Sequence, residues 1–148
     1  MTSTESTTTR ETNKQTLRRA LTAITHRDPN AVIAELHDTA AFQLPFESAV
    51  PDCDRDGFAQ LLSMMFTMFK KFDMTITEIF DLVDPHILVA RYQNDAEGQD
   101  KPVIYRNDYI GVFHFRDGKI VSWCEYANPD VSRAAIAQFA DSETEVGS

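Results

Sequence analysis

The sequence predicts an α+β domain, and three patterns predict it. Helical periodicity dominates the first half of the chain and period-two alternation the second. No helical crossover separates the later strands. Strands that follow one another directly pair antiparallel, and helices gathered on one face cover them. Such a sheet must curl to bury both surfaces. The expected shape is a cone with a pocket: a curled, mostly antiparallel sheet packed on about three N-terminal helices, with a short C-terminal helix.

The elements follow in order. Residues 1–12 (MTSTESTTTRET) are Ser/Thr-rich and nearly without apolar side chains, so a disordered tail is expected there. Leu17, Ala20, Leu21 and Ile24 recur at helical spacing and predict the first helix. Asp28-Pro29 reads as a cap with proline at the first helical position, opening a short helix through Val32, Ile33 and Leu36. Phe42, Leu44 and Phe46 alternate with Gln43 and Pro45, a short strand ended by proline. Phe58, Leu61, Leu62, Met65, Phe66 and Phe69 form an apolar helical stripe with Asp54 or Asp56 as cap. A Met and Phe stripe of this kind reads first as core packing.

From Phe72 the alternation begins. Strands are expected at 72–77, 87–93, 103–115 and 120–126. Asp117-Gly118 is a two-residue hairpin turn, because both of its positions need positive φ. Asn128-Pro129-Asp130 caps a last helix through Val131, Ala135, Ile136 and Phe139. Residues 141–148 read as a second disordered tail, leaving a single domain over 13–140.

The chain has 148 residues, 14 Lys plus Arg and 23 Asp plus Glu, for a net charge of −9. That balance argues against a nucleic-acid partner and against an anionic membrane surface. No apolar run approaches the roughly 20 residues that span a bilayer. The N-terminus has no secretory h-region, and Cys53 and Cys124 are isolated. These features lead to the expectation of a cytoplasmic protein without metal or disulfide. No phosphate-binding Gly-rich loop, HExxH or Ser/His/Asp order is present, so no cofactor is expected.

LRRALTAITHRDPNAVIAELHDTAAFQLP, from Leu17, resembles the opening of SnoaL-like proteins of the NTF2-like superfamily. NDYIGVFHFRDGKIVSWCEYANP, from Asn107, resembles their closing hairpin: an aromatic-rich strand, a DGKI turn, then Trp-x-acid-Tyr. The resemblance implies the curled-sheet fold, a homodimer through the outer sheet face and a small apolar ligand. The superfamily includes polyketide cyclases, limonene-epoxide hydrolase, ketosteroid isomerase and non-catalytic binding domains, so fold alone does not name a function.

Glu125 is the first candidate catalytic residue. An acid on an apolar face beside Val121 and Trp123 has its pKa raised by desolvation and can move protons near neutral pH. The resemblance adds that the corresponding acid of limonene-epoxide hydrolase is catalytic. The competing structural reading pairs Glu125 with Arg91 or Arg106 at the sheet rim. Arg91 is the second candidate, either binding charge in the pocket or facing outward on the sheet. The epoxide hydrolase has Arg-x-Asp at this place, whereas here it is Arg91-Tyr92-Gln93. Gln93 cannot share a proton but can orient water.

Asn107 and Tyr109, which share a face with Tyr105, are candidates for substrate binding, and the resemblance places an Asn-x-Tyr pair of this kind in the pocket. The alternative is an outer dimer face. Register decides between the two. A strict hairpin pairs Ile110 with Glu125 and makes Arg106 and Asp108 its neighbours, and His114 then shares its face. A bulge, placed most naturally near Gly111, brings Asn107 and Tyr109 instead. Phe42, Leu62, Phe66, Leu21, Leu17 and Trp123 are expected to line the pocket. Leu44 and Leu21 stand where ketosteroid isomerase carries its base and its oxyanion-hole tyrosine, which argues against that mechanism. Two classes of function follow. One is a cofactor-independent acid–base enzyme of cyclase, isomerase, dehydratase or hydrolase type. The other is a non-catalytic binding or dimerisation module.

Overall fold

A computed structural model describes residues 2–147 of the chain, with side chains from residue 2 to residue 140. Among the described residues four helices and seven strands follow one another as α1 (Ser3–Thr25), α2 (Pro29–Ile33), β1 (Leu36–Gln43), β2 (Cys53–Asp54), α3 (Arg55–Met68), β3 (Phe69–Asp81), β4 (Ile87–Gly98), β5 (Ile104–Tyr105), β6 (Asp108–Arg116), β7 (Lys119–Ala127) and α4 (Pro129–Gly147). The strands form one sheet in the order β2-β1-β7-β6-β4-β3, with β5 on β4. All pairs are antiparallel except β1 with β7.

Helix covers residues 3–12 and 141–147 of the two expected tails. Thr2 and Glu5 form a capping box that starts α1 at Ser3, each side chain accepting the other's backbone N–H. Arg10 Nη2 then donates to the Leu82 carbonyl at 3.0 Å, and Asn13 Nδ2 donates to that of Pro85 at 3.0 Å. These long-range bonds supply the ordering that apolar burial cannot. At the other end the backbone of α4 continues to Gly147, while the side chains of residues 141–148 lie outside the described residues.

Other boundaries shift for local reasons. Asp28 caps α2, accepting from Ala31 N, but Leu36 begins β1 instead of ending the helix. Phe42 lies in β1, while Leu44 and Phe46 fall in the connection beyond it. Asp54 is the cap of α3, accepting from Gly57 N at 2.9 Å. The expected long strand 103–115 is divided into β5 and β6, and Asn107 sits at the break. Its amide pins the break down: Oδ1 accepts from Asp108 N and Asn128 N, and Nδ2 donates to the Asn128 carbonyl.

The hairpin turn has φ of 53° at Asp117 and 75° at Gly118, as an Asp-Gly pair allows. Past it, Arg116 pairs with Lys119 and Phe115 with Ile120, but His114 pairs with Ser122. Val121 is therefore the extra residue of a bulge. Phe113 then faces Trp123, Gly111 faces Glu125 and Tyr109 faces Ala127. The bulge lies close to the turn, ten residues from the Gly111 position where it was expected. It still puts Glu125 on the face of Tyr109 and Phe113.

That face is the inside of the curl. Leu88, Ala90, Tyr92, Asn94 and Ala96 point inward from β4, and all are buried. Trp123 is 1% exposed and lies 5.2 Å from the rings of both Phe58 and Phe113. Phe42 stacks on Phe58 at 4.1 Å. Between this aromatic wall, α3 and the start of α4, the core opens into a cavity of about 210 Å³.

Candidate functional site

The cavity is lined almost entirely by carbon and sulfur. Met64, Met65, Met68, Met74, Phe69 and Phe72 come from α3 and β3, and Ala135, Ile136 and Phe139 from α4. Glu125, Tyr105 and Tyr109 supply polar groups from the sheet, and Glu47 and Ser132 from the loop after β1 and from α4. Ser132 Oγ lies 3.2 Å from Glu47 Oε2, which ties α4 to that loop. No Lys, Arg or His lines the cavity among the described residues.

Glu125 is the chemical centre. Its Oε1 accepts a short hydrogen bond from the Tyr92 hydroxyl and a longer one, 3.3 Å, from Trp123 Nε1. The indole N–H also lies 3.3 Å from the Tyr92 oxygen, so the three groups form a closed triangle. Oε2 has no protein partner among the described residues. Burial raises the carboxyl to about 7, while the bonds from Tyr92 and Trp123 favour its charged form and hold the rise in check. A carboxyl poised there is populated in both protonation states at neutral pH and can give or take a proton at Oε2. Tyr92 itself is pushed well above the usual phenol value, by burial first and by the neighbouring Glu125 second. It therefore stays a neutral donor.

Space for the triangle comes from the smallest residues on the facing strands. Ala90, Gly111 and Glu125 form one row across β4, β6 and β7. A Cβ at Gly111 would come within 2.4 Å of the Phe113 ring and 2.7 Å of the Tyr92 hydroxyl. Tyr109 stacks on Tyr92 with centroids 5.2 Å apart and planes 9° from parallel. Its hydroxyl bonds that of Tyr105 at 3.0 Å, and Asn107 Nδ2 reaches the Tyr105 oxygen at 3.1 Å.

Comparison with known proteins places the chain. The family model described as a SnoaL-like domain matches residues 17–123. The chain belongs to the SnoaL-like domain family. A Bacillus subtilis (strain 168) relative, Uncharacterized protein YesE, is 24% identical over 125 residues, covering 82% of this chain and 85% of that one. Among solved structures, the BvnE pinacolase from Penicillium brevicompactum superposes with a TM-score of 0.79 at 16% identity, covering 90% of this chain and 94% of that one. An M. tuberculosis LEH-like epoxide hydrolase superposes with a TM-score of 0.70 at 19% identity, covering 91% and 97%. At these identities the likeness is one of fold, the NTF2-like cone. Glu125 lies just past the matched residues, so its role rests on the geometry above.

In this SnoaL-like protein the expected residues divide. Glu125, Tyr109, Trp123, Phe42 and Leu62 line the cavity. Leu21 is buried in the core and Phe66 packs against it, but neither lines the cavity. Asn107 is buried and acts one step back, through the Tyr105 hydroxyl. Arg91 and Gln93 do not join the site. They alternate with Tyr92 on β4, so when Tyr92 points in they point out. Arg91 pairs with Glu78 at 3.9 Å, and both side chains are more than half exposed. Gln93 donates to Asp108 on the exposed side. The rim pairing of Glu125 is not made either, because Arg106 bonds Asp95 at 3.0 Å. Tyr92 is the residue that sequence reasoning missed as a functional group, while Tyr105 lines the cavity beside Tyr109, the face they were expected to share. For Tyr92 the signal was present, since a charge and an amide on either side of one tyrosine mark it as the inward residue.

Among the described residues no group of three or more His, Cys, Asp or Glu is placed to hold a metal. No helix of the described residues is long and apolar enough to cross a membrane.

Proposed function

We propose that this SnoaL-like protein is an acid–base enzyme acting without a cofactor on a small apolar molecule in the cavity. The reaction is an isomerisation, cyclisation, dehydration or hydrolysis in which one carboxyl moves the proton. The observation that carries the reading is Glu125: a carboxyl raised to about 7, held by Oε1, with Oε2 left for the occupant of an apolar chamber. Tyr92 and Trp123 keep Oε1 as the acceptor oxygen, so the mobile proton belongs at Oε2. The apolar lining excludes bulk water and strengthens the charge interactions that develop during the reaction. The pinacolase and epoxide hydrolase named above support acid–base chemistry on this fold without naming this chain's substrate. The free thiols of Cys53 and Cys124 support a cytoplasmic location.

The test is turnover of a panel of neutral lipophilic epoxides, ketones and tertiary alcohols by the protein and by Glu125→Gln. The glutamine keeps the shape and loses the proton, so kcat on any accepted compound should fall by about 10²–10⁴-fold. Undiminished turnover by the folded variant contradicts the assignment of Glu125, and binding without turnover by the unchanged protein favours a binding module.

A further inference from the structure

The two tyrosines beside Glu125 hold a hydrogen-bond donor with no protein acceptor among the described residues, and the count of protons requires it. The Asn107 amide has a fixed orientation, because Oδ1 accepts two backbone N–H groups and Nδ2 donates to the Asn128 carbonyl. Its second N–H therefore donates to the Tyr105 oxygen at 3.1 Å. Tyr105 and Tyr109 share one further bond at 3.0 Å, which uses one of their two hydroxyl protons. The other has no acceptor among the described residues, whichever tyrosine carries it. Both rings line the cavity, and Tyr109 is 6% exposed. Tyr109 is buried and Tyr105 half-buried against the apolar cavity, so an occupant whose oxygen accepts the spare proton is favoured.

The surrounding charge narrows the occupant. The lining holds two carboxyl groups, Glu47 and Glu125, and no cationic side chain among the described residues. An anion would be desolvated there with nothing to pair it. We propose that the Tyr105–Tyr109 pair is an oxygen-reading subsite, donating its spare O–H to an acceptor-only oxygen, a carbonyl or ether, on a neutral lipophilic ligand, and that the cavity rejects carboxylates. The subsite rests on the cavity described above but not on Glu125 being catalytic. It orients the ligand from one end while Glu125 Oε2 meets it at another. Tyr109 is stacked on Tyr92, the residue that bonds Glu125, so both ends fall within one small molecule.

The chain contains a single tryptophan, Trp123, in the cavity wall, so its fluorescence reports binding directly. The probes are 2-acetylnaphthalene, 2-isopropenylnaphthalene of nearly the same shape, and 2-naphthoate, all at pH 8. The ketone should bind about fivefold more tightly than the hydrocarbon, the worth of one net hydrogen bond. The naphthoate should bind most weakly. Either single change, Tyr105→Phe or Tyr109→Phe, leaves one hydroxyl that can still donate, so the ketone preference should survive. The double change removes both hydroxyls and should abolish it. Glu125→Gln should keep the preference even as turnover is lost, which separates failure of this subsite from failure of the catalytic reading. The carbonyl stretch of 2-acetylnaphthalene bound to the unmodified protein gives a readout independent of any variant. It should move below its frequency in hexane. Equal binding of ketone and hydrocarbon, tightest binding of the naphthoate, or an unshifted stretch would each overturn the proposal.

Discussion

Glu125 derives its character from opposing causes. Burial favours the neutral carboxyl, and hydrogen bonds from Tyr92 and Trp123 favour the charged one. Removing one of those bonds should therefore move the titration in a known direction. Tyr92→Phe should raise Glu125 above its value of about 7, and the limb of a pH–rate profile that it sets should move to higher pH. A limb that stays put or moves to lower pH would mean that the Tyr92 hydroxyl does not act on the reacting carboxyl. At this scale the sequence is informative about chemistry and less so about direction. An acid two residues from a tryptophan on an apolar strand marks Glu125 by itself. Arg91 reads as a second site residue only while the face of its strand is unassigned. The run Arg91-Tyr92-Gln93 alternates, and one strand cannot send neighbouring side chains the same way.

Strands and their pairing place these residues. The bulge at Val121 is the device that turns Glu125, Gly111 and Tyr109 to one face, since a single extra residue exchanges inside for outside. Nothing at Val121 announces it. A β-branched residue between Ile120 and Ser122 fits a regular strand as well, so the register is set by packing: Trp123 and Ile120 are both buried, which only a bulge between them allows. The ordered start of α1 is similar. Its polar residues bury little, and the helix holds through its capping box and the bond from Arg10 to the Leu82 carbonyl. Gly111 is the element-scale counterpart of the bulge, because its missing side chain admits the Tyr92 hydroxyl and the Phe113 ring. Gly111→Ala should cost roughly 1–3 kcal/mol by overpacking, read as a fall in the urea midpoint. An unchanged midpoint would show that the row has slack.

For the molecule as a whole, the buried carboxyl leaves a mark on stability. Its folded value of about 7 lies above the ordinary 4.5, so the fold favours the neutral form. The contribution is present in full below about pH 4.5 and is lost as pH rises through about 7. Relative to Glu125→Gln, the protein should lose roughly 3 kcal/mol across that window, seen in paired urea melts at pH 5 and pH 8. Parallel pH dependences in the two proteins would place the carboxyl in solvent. The cone itself, α+β with a curled sheet and a closing helix, follows from periodicity and the Asp-Gly turn, because apolar patterning governs which surfaces must be covered. A pocket follows from the same curl, but its full lining does not, since Leu21 and Phe66 pack into the core instead of facing it. A carbon-detected NMR titration of the Glu125 side-chain carboxyl in the free protein reads the buried acid itself. A midpoint near 7 is predicted, moving higher in Tyr92→Phe, whereas a midpoint near 4.5 in the folded protein would contradict the account.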